Sequence, residues 1–231
     1  MQLQFQGQFL ELDPSGALFW PRYAMLVVAD LHLEQGSAFA RRGSLLPPYD
    51  SHATLARLEA LIARLRPDTV VSLGDGFHDR QGPSELSPDL FDRLCGMTRQ
   101  RRWVWVTGNH DPRLPVALGG AAVAELVVDG VVLRHAPTGE VGEIVGHLHP
   151  KARLHTSRRS FARRCFAADP HRLLLPALGS FTGGLNVLDP SIHHFFPTGF
   201  HAYLLGDERV FRFPHHVLSA DPDALSHRIA P

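Results

Sequence analysis

The chain has 231 residues, 44% of them hydrophobic, and its 23 basic and 23 acidic residues balance to a formal net charge of zero. That length fits one α/β domain over residues 1–231, and the neutral balance excludes a surface coated throughout for nucleic acid. No run of eighteen apolar residues occurs and Met1-Gln2-Leu3-Gln4-Phe5-Gln6 lacks the basic and apolar regions of a signal peptide, so a cytoplasmic protein without membrane contact is expected.

From Leu3 to Trp20 two β-rich stretches flank Asp13-Pro14-Ser15-Gly16, a good turn sequence, which predicts a hairpin. The unbroken apolar run from Ala24 to Ala29 predicts a strand buried on both faces, and Asp30 follows it directly. A helix is expected after Pro47-Pro48, capped by Asp50 or Ser51, with Leu55, Leu58, Ile62 and Leu65 on one face and Pro67 ending it. Thr69 to Leu73 is the next buried strand and runs into Gly74-Asp75. A second helix fits Pro88 to Arg101, with Ser87 as its cap and Leu90, Phe91, Leu94 and Met97 inward. Trp103 to Val106 is a third strand, leading into Gly108-Asn109-His110-Asp111.

Strands alternating with helices imply parallel pairing, and ligands in such sheets bind beyond the carboxyl ends of the strands. The second half changes character. Leu126 to Leu133, Glu143 to Val145, Leu173 to Leu175 and Ala202 to Phe211 read as strands with few helices between them. The expected architecture is α/β, two packed mixed β-sheets flanked by helices. Cys95 and Cys165 are far apart and in no CxxC spacing, which makes them small buried hydrophobes rather than thiolate ligands or a disulfide. His193, His194, His201, His215 and His216 read as surface histidines. Between Lys151 and Arg172 seven basic residues stand against one acid, Asp169, which allows either a basic face or a solvated, arginine-rich loop.

Five islands of metal-binding residue types lie in order along the chain: Asp30-Leu31-His32, Gly74-Asp75, Gly108-Asn109-His110-Asp111, His135, and Gly146-His147-Leu148-His149. Hard oxygens mixed with imidazoles suit divalent cations. In Asp30-x-His32 and His147-x-His149 one intervening residue lets two side chains reach the same side of an extended segment. The Asp75 carboxylate has two oxygens and could bridge two cations. Each island alone would be weak; their joint occurrence is specific.

The five islands resemble the calcineurin-like metallophosphoesterase superfamily, whose pattern is DxH, GD, GNH[DE], H and GHxH. The match spans Asp30 to His149 with no ligand position missing. The resemblance implies the four-layer α-β-β-α sandwich, with Asp30, His32 and His149 on one metal, Asn109, His135 and His147 on the other, and Asp75 between them. It makes His110 the catalytic group, oriented by Asp111. The family's second motif often extends to GDxx[DE], whereas Gly76-Phe77-His78-Asp79 stands here, leaving an accessory role open for His78 or Asp79. Two ions roughly 3.5–4 Å apart would lower the pKa of a bridging water and place the resulting hydroxide for in-line attack. Manganese is favoured for this mixed ligation, with iron and zinc as alternatives.

A narrower resemblance rests on Ala29 to Glu34, Phe39 to Gly43, Leu46 to Asp50, Leu73 to Asp79 and Leu175 to Gly184. These segments look like the bacterial ligase-associated DNA-damage-response endonucleases, which implies a DNA phosphodiesterase in repair, associated with a DNA ligase, a helicase and an exonuclease. Arg41 and Arg42 follow the first island closely enough to contact a substrate phosphate or, equally, to be solvated. The alternatives are a phosphodiesterase or phosphatase for a small substrate such as a cyclic nucleotide, and a non-catalytic scaffold. A scaffold is expected to have lost ligands or the histidine of GNH, and this chain retains them.

Overall fold

The computed structural model describes residues 1–44, 49–110, 114–155 and 159–222. The apolar run at 24–29 forms β4 (Met25–Ala29), with every residue buried. Its side chains alternate: Val27 and Ala29 join one apolar cluster, while Leu26 and Val28 join another on the opposite face. Ahead of it lie β1 (Gln2–Phe5), β2 (Gln8–Leu12) and β3 (Leu18–Trp20), all antiparallel neighbours. The opening segment is thus a three-stranded meander rather than one hairpin. Gln6-Gly7, with φ of 48° and 75°, makes an additional tight turn.

The chain then forms α1 (Gln35–Arg41), α2 (Asp50–Leu65), β5 (Thr69–Leu73), α3 (Gly82–Glu85), α4 (Pro88–Arg99), β6 (Arg102–Val106) and β7 (Ala121–Val123). Strands β4 to β7 pair in parallel, in chain order. Ser87 caps α4 by accepting from the Leu90 N–H, as its position predicts. Neither Asp50 nor Ser51 caps α2. Their oxygens instead accept N–H groups at the start of α1, Asp50 from Gly36 at 2.9 Å and Ser51 from Glu34 at 2.8 Å. The two side chains therefore tie one helix to the other directly after the Asp30 island.

The second half contributes β8 (Glu125–Val128), β9 (Val131–Arg134), β10 (Glu143–Val145), β11 (Lys151–His155), β12 (Ser160–Ala168), β13 (Arg172–Leu174), α5 (Pro190–His193), β14 (His201–Leu205) and β15 (Val210–Pro214). Among the described residues they form a sheet in the order β15-β14-β12-β13-β10-β9-β8, with β11 paired to β12. The expected strand at 126–133 is a hairpin broken at Asp129-Gly130, both at positive φ, and the one at 202–211 is a hairpin as well. The arginine-rich stretch after Lys151 is not a loop. It is the β11–β12 ribbon, with β12 crossing from solvent into the sheet.

Phe166, Leu133, Ile144 and Tyr203 of the second sheet pack against Val27, Val71 and Val104 of the first, and this is the layer between the sheets. Leu55 and Leu58 of α2 and Leu94 of α4 cover the outer face of the first sheet. The outer face of the second is covered by Ile192 of α5 with Val187, Phe196 and Phe200. The two mixed sheets flanked by helices are as expected, but the last helical layer is thin, a four-residue helix supported by loop. Cys95 and Cys165 are free and buried.

Candidate metal centre

Asp30 ends β4, Asp75 follows β5, and Asn109-His110 follow β6, so three parallel strands deliver three islands to one edge of the first sheet. His135 and His147 arrive from the facing edge of the second sheet, after β9 and β10. The side chains converge in two triads, Asp30 with His32 and His149, and Asp75 with His135 and His147; within each, one ligand atom per residue lies within 4.8 Å of the others. Asn109 is exposed beside His110. Asp111 lies outside the described residues.

The extended-segment picture of the Asp-x-His and His-x-His islands does not hold. Asp30, His32, Asp75, His147 and His149 all adopt left-handed backbone, with φ of 53°, 44°, 43°, 67° and 45°. Each such residue costs about 1 kcal/mol or more, and strain concentrated in this way is expected at a site where geometry outranks stability. The turns also separate His147 from His149, sending them to different triads. Gly146 permits the approach, since a Cβ there would lie 2.7 Å from Asp30 Oδ2. The same oxygen accepts the His147 N–H at 2.9 Å, so the fifth island is docked on the first.

These donor sets fit divalent ions. His32 Nε2 and His149 Nε2 face each other at 3.2 Å, and His147 Nδ1 faces His135 Nε2 at 3.1 Å. The His135 Nδ1 can donate to the Leu73 carbonyl at 3.2 Å, which turns its Nε2 lone pair toward Asp75 Oδ2, 3.3 Å away. That contact is met by a proton on Nε2 or, with the lone pair free, by a cation between the two groups. The buried Asp30 Oδ1 has no hydrogen-bond partner, an acceptor for which a cation is the natural complement.

Titration follows the same electrostatics. Burial pushes the His32 imidazole down to about 4 against the pull of Asp30, keeping it neutral as a ligand must be. Burial and the neighbouring His135 likewise lower His147. Burial alone would raise the Asp75 carboxyl, but the hydrogen bond and charge of His135 and the His110 N–H hold it well below the usual range. His135 moves upward: burial disfavours its charge, and Asp75 and Asp30 outweigh that.

His110 Nδ1 lies 2.6 Å from the His78 carbonyl, an acceptor only, so Nδ1 carries the proton and Nε2 is turned 3.9 Å from Asp75 Oδ2. Its main-chain N–H donates to Asp75 Oδ1 at 3.0 Å. Among the described residues the ring is thus oriented by the His78 main chain, a contact that no side-chain motif announces. The His78 ring also lies 5.4 Å from that of His32. Arg41 and Arg42 are both exposed, but Arg41 pairs with Asp79 and Glu85, bridging α1 to the segment after Asp75. The loop after His135 is held by Glu143, fully buried, which accepts from the N–H groups of Thr138 at 3.0 Å and Gly139 at 2.9 Å. The strand pattern conceals that role.

Residues 24–173, containing all the islands, match the model of the calcineurin-like phosphoesterases. The chain belongs to the calcineurin-like phosphoesterase family. A crystal structure of the Pseudomonas putida nuclease MPE is similar at 28% identity and a TM-score of 0.71, covering 92% of this chain and 99% of that one. A phosphoesterase from E. coli, Yfce, is similar at 15% identity and a TM-score of 0.41, covering 82% of this chain and 97% of that one. No curated sequence relative matches. Calcineurin-like phosphoesterases use divalent metals, and this member is accordingly a metal-dependent phosphoester hydrolase with two candidate metal sites. No helix among the described residues is long and apolar enough to cross a membrane.

Proposed function

We propose that the protein is a two-metal phosphodiesterase acting on DNA. The observation that carries this reading is the pairing of two triads, Asp30-His32-His149 and Asp75-His135-His147, beside a histidine that belongs to neither. Asp75 would serve both ions and Asn109 would complete the second set. Mixed carboxylate, amide and imidazole ligation favours Mn²⁺. When bound, two such ions polarise the phosphoryl oxygens and make a water acidic enough to lose its proton near neutral pH.

The protein's own groups do the rest. His110, its Nδ1 proton held by the His78 carbonyl, turns Nε2 toward the centre; with a second proton on Nε2 the ring can pass that proton to the leaving oxygen and return to its Nδ1–H form. Asp75 fixes the main chain of His110 and so sets the ring's distance from the centre. Arg42, exposed at the end of α1, is free to contact a substrate phosphate, whereas Arg41 first serves Asp79 and Glu85. Asp111 would support His110 from the following position.

The similarity to a Pseudomonas putida nuclease supports nucleic acid as the substrate class, within which DNA is our reading. A role in DNA repair alongside a ligase, a helicase and an exonuclease is the fuller form of the same reading, and two free, buried cysteines suit the reducing cytoplasm in which it would act. Turnover of single-stranded DNA, bis-p-nitrophenyl phosphate and p-nitrophenyl phosphate with Mn²⁺ tests it. Cleavage of DNA and of the diester is expected, with the monoester slow; hydrolysis of the small esters with DNA left intact would refute the nuclease.

A further inference from the structure

Strand β12 pairs with β14 through Cys165–Ala168, but its residues 160–164 pair only with β11. Where the two strands part, a cavity of about 470 Å³ opens, walled by Arg57 of α2, Lys151 of β11, and Arg163 and Arg164 of β12. Asp207 is the acid in its wall, and Asp221 attracts Lys151 from outside it. Among the described residues none of the four cations forms an ion pair with a carboxylate. Arg57 donates to the Leu178 carbonyl and Arg164 to that of Ala177 at 2.8 Å, so two half-buried guanidiniums are anchored by main chain alone. Burial pushes both down, and the charge of Arg57 lowers Arg164 further. Like charges held together with no carboxylate paired to them are a preorganised receptor for an anion.

Arg163, Leu205 and Asp207 also border a second, apolar cavity of about 400 Å³, lined by Leu154, Phe161, Phe211 and Phe213. Phe161 is 41% and Phe211 39% exposed, and the Arg209 guanidinium lies 4.8 Å from the Phe211 ring centre, adding a further cation beside the apolar wall. The basic cavity lies close behind the metal centre. Lys151 is two residues beyond His149, and the segment that anchors the two arginines also donates from Leu178 to the Ala29 carbonyl at 2.8 Å and from Gly179 to that of Asp30 at 3.1 Å.

We propose that these joined cavities bind the flanking part of a single-stranded nucleic acid, with phosphates in the Arg57, Lys151, Arg163 and Arg164 cavity and bases against Phe161 and Phe211. The site rests on the phosphodiesterase reading above and extends it to a strand running away from the metal centre. Phosphate alone would use the cations and ignore the phenylalanines. A strand with unpaired bases uses both, because bases stack on aromatic rings with little regard to sequence.

The full chain, Mn²⁺-loaded and carrying His110→Ala so that the strand survives, is titrated into a labelled single-stranded oligonucleotide and followed by fluorescence anisotropy. Adding Arg163→Glu should weaken binding at least tenfold and adding Phe161→Ala about fivefold; both positions are exposed. With His110 intact, the same two substitutions should leave turnover of bis-p-nitrophenyl phosphate unchanged. The proposal is overturned if the parent does not bind the oligonucleotide, if both variants bind as the parent does, or if diester turnover falls in step with binding. Weakening by Arg163→Glu alone would reduce the site to a phosphate pocket and overturn the strand. Intact DNA with hydrolysed diester would refute the nuclease while leaving the binding comparison readable.

Discussion

Gly74 and His135 are packed so closely that a Cβ on the glycine would fall 2.2 Å from His135 Nδ1. Gly74 also sits at a φ of 67°, where a side chain is strained whatever the space. The end of β5 and the imidazole from the second sheet thus meet through a residue that has no side chain.

Gly74→Ala should therefore push His135 out of its triad. A displacement of about 1 Å at such a centre costs on the order of 100-fold in rate, and the left-handed backbone adds about 1–2 kcal/mol of destabilisation. Turnover of bis-p-nitrophenyl phosphate and thermal unfolding measure the two effects. Wild-type turnover in this variant would show that His135 is not needed where it stands.

His110→Ala removes the proposed proton donor but none of the six triad side chains. The expected result is a kcat loss of about 10²–10⁴-fold with metal content unchanged by elemental analysis. A variant that loses its metal instead would make His110 a ligand.

Asp13 supplies a pH dependence away from the site. Burial raises its carboxyl, but the Ser15 N–H at 3.0 Å, the Ser15 hydroxyl and Arg64 at 2.7 Å outweigh it and hold the value below normal. A depressed folded value means that its stabilisation is present above the unfolded value of 3.8 and is lost as pH falls through the folded one. Asp13→Asn should cost about 1 kcal/mol at pH 7, with Arg64 half-exposed and partly screened. The gap between variant and wild type should narrow toward pH 3 in denaturant melts. An equal gap at both values would contradict it.

The parts legible in the sequence were those where one local rule dominated. Strands β4, β5 and β6 are buried on both faces past the exposed Arg102 of β6, so their sequences are mainly apolar, unbroken in β4 and interrupted in β5 by Ser72, and Ser87-Pro88 marked the start of α4 by side-chain chemistry. Helix α1 was missed because it begins after Glu34 in left-handed backbone with no side-chain cap, its N–H groups being met from α2 instead. Strand β12 was hidden because residues 160–163 face solvent, and arginines there read as loop. The break at Asp129-Gly130 did carry a turn signal, which the surrounding valines outweighed.

At the metal centre residue type was legible and orientation was not. The islands named Asp30, His32, Asp75, His135, His147 and His149, and the structure brings all six together. That five of the seven ligand candidates reach the centre through left-handed backbone depends on long-range docking, such as the His147 N–H on Asp30. The carbonyl of His78 could not be singled out, since every residue has one.

If the two triads hold the ions on which hydrolysis depends, metal and activity must be lost and regained together. Metal content by elemental analysis, together with bis-p-nitrophenyl phosphate turnover before and after chelation and after return of Mn²⁺, tests it most directly. Two divalent ions per chain are expected, with activity abolished on chelation and restored by Mn²⁺, and with loss of metal in Asp30→Ala and Asp75→Ala while the fold is retained. Full turnover by chelated, metal-free protein would contradict it.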